Sequence, residues 1–204
     1  VISGAVTFTV FFTPLYYLDV KILDIPGQSG YSLNLISRNY DTLINYMSVF
    51  NHGELAFPDL AMSPMGKIHF EEVKNIFVIL QILLPITAAV GIPWSIYLYR
   101  KKHERFFFKI AGIITLALPV FLGIWAAINF DSLFITFHKI AFRNDYWIFY
   151  PSLDPVINIL PEEFFMHALI LIVGIVIGMG ILFLVLGRKY SKKKIKRNSK
   201  KAIK

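Results

Sequence analysis

A chain of 204 residues that is 56% hydrophobic and only 17% charged is too apolar for an ordinary soluble domain. Its net charge of +8 is gathered into 100–109 and 188–204 rather than spread over a face, which argues against nucleic acid as a partner and suits cytoplasmic anchors flanking membrane spans. There is no cysteine, so disulfides, a thiolate nucleophile and thiolate-ligated metals are excluded.

The chain begins at Val1, inside an apolar run and without a methionine, so the expectation is that residues precede it. Residues 1–18 read as a first membrane helix. Tyr16, Tyr17, Leu18 and Asp19 end it as an interfacial aromatic belt. From 19 to 68 the chain is too polar to span, yet Leu33, Ile36, Tyr40, Leu43, Ile44 and Met47 recur at helical spacing, predicting an amphipathic helix within a cap. Ser63 and Pro64 read as the N-cap and first position of the next helix, which carries His69 on its opening turns and spans the membrane over 73–99. Pro85, Gly91 and Pro93 are its kink candidates.

The basic loop near Arg100 is cytoplasmic by the positive-inside rule, and 110–130 returns as the third span. An outer aromatic loop over 131–163 follows, with Phe134 and His138 on one face if the third helix runs on. The fourth span, 164–187, carries Gly174 and Gly178 at a spacing that lets helices approach closely, and 188–204 is a disordered basic tail. The expected fold is an all-α membrane protein: one membrane-embedded domain with four transmembrane helices, an extracellular helical cap and both termini cytoplasmic.

Among the histidines, His103 in the basic loop and His52 in the cap read as solvated, and His167 reads as a hydrogen bond between helices. His69 and His138 stand at the outer interface among acids and aromatics. The helix dipole disfavours imidazolium at His69 while Glu71 and Glu72 favour it, so this ring is expected near neutrality, as a general base requires. The alternative is a pair of interfacial histidines bonded to headgroups or backbone. Glu162 and Glu163 are explained by the dipole of the helix they precede. No serine-elbow, zincin or phosphate-loop motif is present.

Several blocks together carry a resemblance: NYDTLINY at 39–46, FPD at 57–59, HFEEVK at 69–74, FH at 137–138, NDYW at 144–147, Pro151, Asp154 and PEEFF at 161–165. In these the chain resembles the lipoprotein intramolecular transacylases of Firmicutes, departing only at Pro64 and Met65, where acidic residues are expected. The resemblance implies a four-helix enzyme that moves the sn-2 acyl chain of a diacylglyceryl lipoprotein onto the α-amino group of its own terminal cysteine, leaving a lyso-form. It also implies His69 and His138 as catalytic residues. The expected roles are His69 as base and His138 as acid, with Glu72, Asp145 and Asp154 orienting them and Tyr40, Phe70, Phe137 and Trp147 contacting substrate. No cofactor or metal is expected, and the partners are a diacylated lipoprotein and membrane lipid. Two rivals stand beside this reading: a non-enzymatic receptor or assembly factor with a lipid-binding groove, and a His/carboxylate metallohydrolase.

Overall fold

Proline placement and the change from water to lipid decide where this chain is helical and where it is packed. The computed structural model describes residues 1–101 and 106–202, with side chains to 188, so His103 lies outside the described residues. The apolar opening is two helices, α1 (Ile2–Phe11) and α2 (Thr13–Ile22), rather than one over 1–18. Pro14 has no amide proton, and its ring would meet the carbonyl four residues back, so the helix stops and Phe12 takes φ −83° and ψ 67°. At ten residues α1 is about 15 Å long, half of a hydrocarbon core.

The other elements are α3 (Ile25–Ser29), α4 (Leu33–Tyr46), α5 (Pro64–Arg100), α6 (Phe106–Ile128), α7 (Phe130–Phe142), a 3-10 helix (Pro155–Asn158) and α8 (Glu162–Ala202). Among the described residues there is no strand, and three helices are long and apolar enough to cross a membrane: α5, α6 and α8 over Glu162–Arg188. α5 runs without interruption through Pro85 and Pro93. The basic tail, expected to be disordered, continues α8 to Ala202, because no glycine or proline follows Gly187 and Lys and Arg are good helix formers. The segment after α6 is also more ordered than a loop: α6 stops at Asn129, whose side chain caps α7 by accepting from Ser132 N at 2.7 Å.

The main buried cluster joins α2, α3 and α4 to the 3-10 helix. Tyr16, Val20, Ile25, Ile36, Tyr40, Leu43, Tyr46, Met47, Val156, Ile159 and Leu160 pack together there, while the apolar faces of α5, α6 and α8 stay open to lipid. Tyr16 is therefore not an interfacial belt residue. It is fully buried, stacks on Tyr40 at 3.5 Å and donates its hydroxyl to Ile159 O at 2.8 Å. Asn39, also fully buried, is satisfied by Leu35 O, by Asp59 Oδ2 and by the Asp59 amide that it accepts from. Gln81 seats the cap on α5, donating to Met47 O and accepting from Val49 N, both at 2.9 Å.

Among the membrane-length helices α6 and α8 pack most extensively, but not through the expected glycines. A Cβ on Gly174 or Gly178 would meet nothing within 4 Å, whereas one on Gly112 would lie 2.9 Å from the Gly180 carbonyl and 2.8 Å from Leu184. Close approach thus occurs at Gly112 and Gly180. Gly112→Ala should lower the unfolding temperature in detergent and loosen the α6–α8 contact, and Gly178→Ala should leave it unchanged. Equal effects of the two would contradict this packing.

Candidate active site between helices α5 and α7

His69 owes its position to the way α5 begins. Ser63 Oγ accepts from Gly66 N at 2.9 Å, Pro64 fills the first helical position, and His69 follows on the second turn. Ser63 is itself held from a distance: Asp154 accepts from its amide at 2.7 Å and from its hydroxyl at 2.8 Å. A Cβ at Gly66 would collide with that carboxylate, so glycine is required where the two segments meet. Asp154, expected to orient a histidine, instead anchors the start of α5. Its buried oxygens are used by the backbone and hydroxyl it meets first.

His138 rides α7, and its Nδ1–H donates to Phe134 O at 2.7 Å, one turn back. A carbonyl can only accept, so this contact fixes the neutral ring as the tautomer with Nε2 unprotonated. Arg143 then takes a left-handed φ of 51°, which ends α7 and turns the chain back across the ring face. Trp147 comes to lie 4.9 Å from His138 between ring centroids, its indole N–H donating to Asn144 O at 2.8 Å.

The structure brings the two histidines together, with ring centroids 6.0 Å apart and planes at 37°. Phe142 packs against both, 4.7 Å from His69 and 5.5 Å from His138. Phe149 closes the other side of His69 at 5.4 Å, and Phe134 lies 4.1 Å from His138. These three aromatics were not among the expected site residues. Sequence marks the segment as aromatic without saying which rings turn inward.

Both rings stand ahead of or beyond the apolar stretches. Burial, and then the charge of His138, lowers the His69 pKa from 6.5 to about 4. Burial also lowers that of His138, opposed by its bond to the Phe134 carbonyl. Near pH 7 both imidazoles are neutral. His69 is 6% exposed, and its Nδ1 is buried with no hydrogen-bond partner.

The remaining expected residues divide. Phe137 is 54% exposed and meets His138 edge-on at 5.4 Å, so it stands with Trp147 at an accessible wall. Tyr40 at 2% and Phe70 at 5% exposure belong to the packed core and offer substrate no surface, because Tyr40 stacks on Tyr16 and meets Phe164 edge-on while Phe70 packs against Phe57 and Phe149. Asp145 is exposed and bonds neither histidine. Glu72 bonds neither one: its Oε1 accepts from Asn144 Nδ2 at 2.8 Å, and its Oε2 is buried without a partner. His167 bonds Asp19, a 1% exposed acid, at 2.8 Å and so joins α8 to α2.

Comparison with known proteins gives this arrangement a family. The profile described as lipoprotein intramolecular transacylase Lit matches residues 1–165. The solved structure of the membrane-integral lipoprotein intramolecular transacylase Lit from Bacillus cereus superposes with a TM-score of 0.88 at 42% identity, covering 95% of this chain and 89% of that one. Two further structures of the same protein, carrying a histidine exchanged for arginine and for alanine, each give a TM-score of 0.80 at 41% identity. They cover 96% and 95% of this chain, respectively, and 87% of theirs. An uncharacterised protein of Aquifex aeolicus (strain VF5) is 29% identical over 148 residues, 70% of this chain, and the match spans 63% of that protein's length. With the matched profile running from Val1 through the aromatic segment to the start of α8, the chain belongs to the lipoprotein intramolecular transacylase family, membrane-integral transferases by name.

Proposed function

We propose that this chain transfers the sn-2 acyl chain of a diacylglyceryl lipoprotein to the α-amino group of the same molecule's N-terminal cysteine, yielding the lyso-form. The observation that carries the reading is the pair of neutral imidazoles 6.0 Å apart, one with its proton position fixed. In the proposed topology α1 joins α5, α6 and α8 as a fourth membrane element, supported by its packing against α5 and α8. The cap over 19–68 and the aromatic segment over 131–163 face outward, and the basic stretches and both termini face the cytoplasm. Substrate then reaches the pair from the outer leaflet, past Phe137 and Trp147.

The geometry favours a different division of labour from the one expected. His138 is the base, because its Nδ1–H is committed to Phe134 and its Nε2 lone pair is free. His69 stays neutral through burial and offers a ring N–H to the ester oxygen as negative charge develops, with the unpartnered Nδ1 as the candidate donor. The amine nitrogen attacks the sn-2 carbonyl, and its proton passes to His138 Nε2. The carbon–oxygen bond to glycerol then breaks, and the same proton leaves His138 for the glyceryl oxygen. An amide and a free hydroxyl result, with all atoms retained. No enzyme nucleophile is needed, since donor and acceptor share one molecule. Holding them in a reactive pose contributes up to about 7–11 kcal/mol.

Intact-mass and fragment analysis of a purified diacylated lipoprotein incubated with the protein tests the reaction. The mass should not change, while one acyl chain becomes resistant to ester cleavage. A gain of one acyl chain would show a phospholipid donor, and no covalent change would favour the receptor or assembly-factor alternative.

In the same assay His138→Ala should lower the rate by about 10²–10⁴-fold. His69→Ala should lower it by about 10²–10³-fold, and His52→Ala should match the parent. Full activity in either site variant would contradict the two-histidine reading.

The pH dependence follows from the sign of the His138 shift. A base whose pKa lies below 6.5 is already neutral at higher pH, so its own loss of activity begins only as pH falls through that lowered value. Between about pH 7 and 8 the rate should instead rise with deprotonation of the substrate amine, whose ordinary pKa is about 7.7–8.0. A rate that increases on acidification would require an imidazolium and contradict the assignment.

A further inference from the structure

Glu72 is an acid on α5 whose side chain bonds the segment that covers both histidines, and only half of its carboxylate is used. Oε1 accepts from Asn144 Nδ2 at 2.8 Å. Asn144 also accepts the Tyr146 amide at 3.1 Å and, through its carbonyl, the Trp147 indole N–H at 2.8 Å. Two residues before it is Phe142, which touches both histidine rings, and three after it is Trp147, which covers His138. The carboxylate is therefore fixed against the same wall that the imidazoles face. It also sits three residues after His69 on α5, the spacing that puts two side chains on one helix face.

Glu72 Oε2 is buried without a hydrogen-bond partner, and so is His69 Nδ1. A buried carboxylate oxygen left open costs free energy unless something with a donor meets it. Within this face of the site Glu72 supplies the acid, and among the described residues no lysine or arginine bonds it. A small cationic donor fits this position, and the substrate of the proposed reaction carries one: the α-ammonium that must be brought to the ester and then lose a proton.

We propose that Glu72 Oε2 binds the protonated α-amino group of the lipoprotein's terminal cysteine. This rests on the acyl-transfer reading and assigns the residue that recognises the nucleophile. Asn144 acts as a positioning residue, holding the carboxylate so that its second oxygen faces the amine. With the ammonium on Glu72, one proton leaves through His138 Nε2 to solvent and frees the nitrogen lone pair, a second passes through the same Nε2 to the glyceryl oxygen as the amide forms, and the ester oxygen is left for the His69 N–H, so the three groups do not compete.

The test uses two non-transferable diether lipopeptides, one with a free α-amine and one N-acetylated, and measures their affinities for the full chain in detergent near pH 7. The parent protein should prefer the free amine by roughly tenfold or more, the scale of one charge-assisted hydrogen bond. Glu72→Gln keeps an amide oxygen for Asn144 and removes the charge, so its preference should fall to within about twofold. An unchanged preference in that variant, or none in the parent, overturns the proposal. If the variant does not fold, the parent decides alone. Its preference should fade as pH rises through the amine pKa of about 7.7–8.0, and a preference that persists above it overturns the assignment. Because neither probe can react, these results are independent of turnover. A diester peptide left unconverted by the parent protein would refute the acyl-transfer reading instead.

Discussion

The buried carboxylate of Asp154 is the contact on which the rest of the site depends. It takes the amide and hydroxyl of Ser63 across 91 residues of sequence, at the residue where the backbone must turn from cap to α5. With both oxygens committed to these donors, α5 starts at a fixed point relative to the chain that leaves α7. The aromatic segment between them then has little freedom. His69 and His138 come from separate helices, yet their 6.0 Å approach follows from that join and from Phe142, which packs against both rings. Hydrogen bonds to a charged group are worth roughly 1.5–3 kcal/mol each, more than a typical neutral bond, so this join dominates its neighbours.

Two solvents act on one chain here, and each produces a different kind of packing. The cap has an ordinary buried core, built from one stripe of α4 with Tyr16, Phe70 and the 3-10 helix. In the membrane there is no such drive, because lipid is as apolar as leucine, and helices meet where small residues allow backbones to touch, at Gly112 and Gly180. The histidines stand near the start of α5 and near the end of α7. Burial is the larger influence on both rings, and it removes the positive charge that neighbouring acids alone would favour at His69. Neutral imidazole suits a reaction whose nucleophile comes with the substrate, since what is needed is one lone pair and one N–H held still.

Much of this was legible in the sequence where a signal is local. Ser63 followed by Pro64 marks the start of α5, the α4 stripe marks its buried face, and the apolar runs mark the membrane-length helices. The pairing of His69 with His138 came from resemblance, because spacing cannot bring together residues on different helices. Features that depend on remote partners were hidden. Asp154 looks like any turn acid until Ser63 is found beside it, and Tyr40 reads as a substrate contact until Tyr16 is stacked on it. The break at Phe12 has a local cause in Pro14, inside a run whose hydropathy is unbroken. Gly174 and Gly178 fit a spacing rule, but the helix turns that face toward open space and presents Gly180 to α6 instead.

The central claim is that two neutral imidazoles, with the proton of His138 on Nδ1, face each other across the site. Heteronuclear NMR of the imidazole nitrogens in the detergent-solubilised protein reads this directly. Near pH 7 His138 should report a protonated Nδ1 and a bare Nε2, and His69 should report a neutral ring that charges only at pH values near 4. A doubly protonated ring at either position near neutral pH, or His138 in the opposite tautomer, would contradict the account.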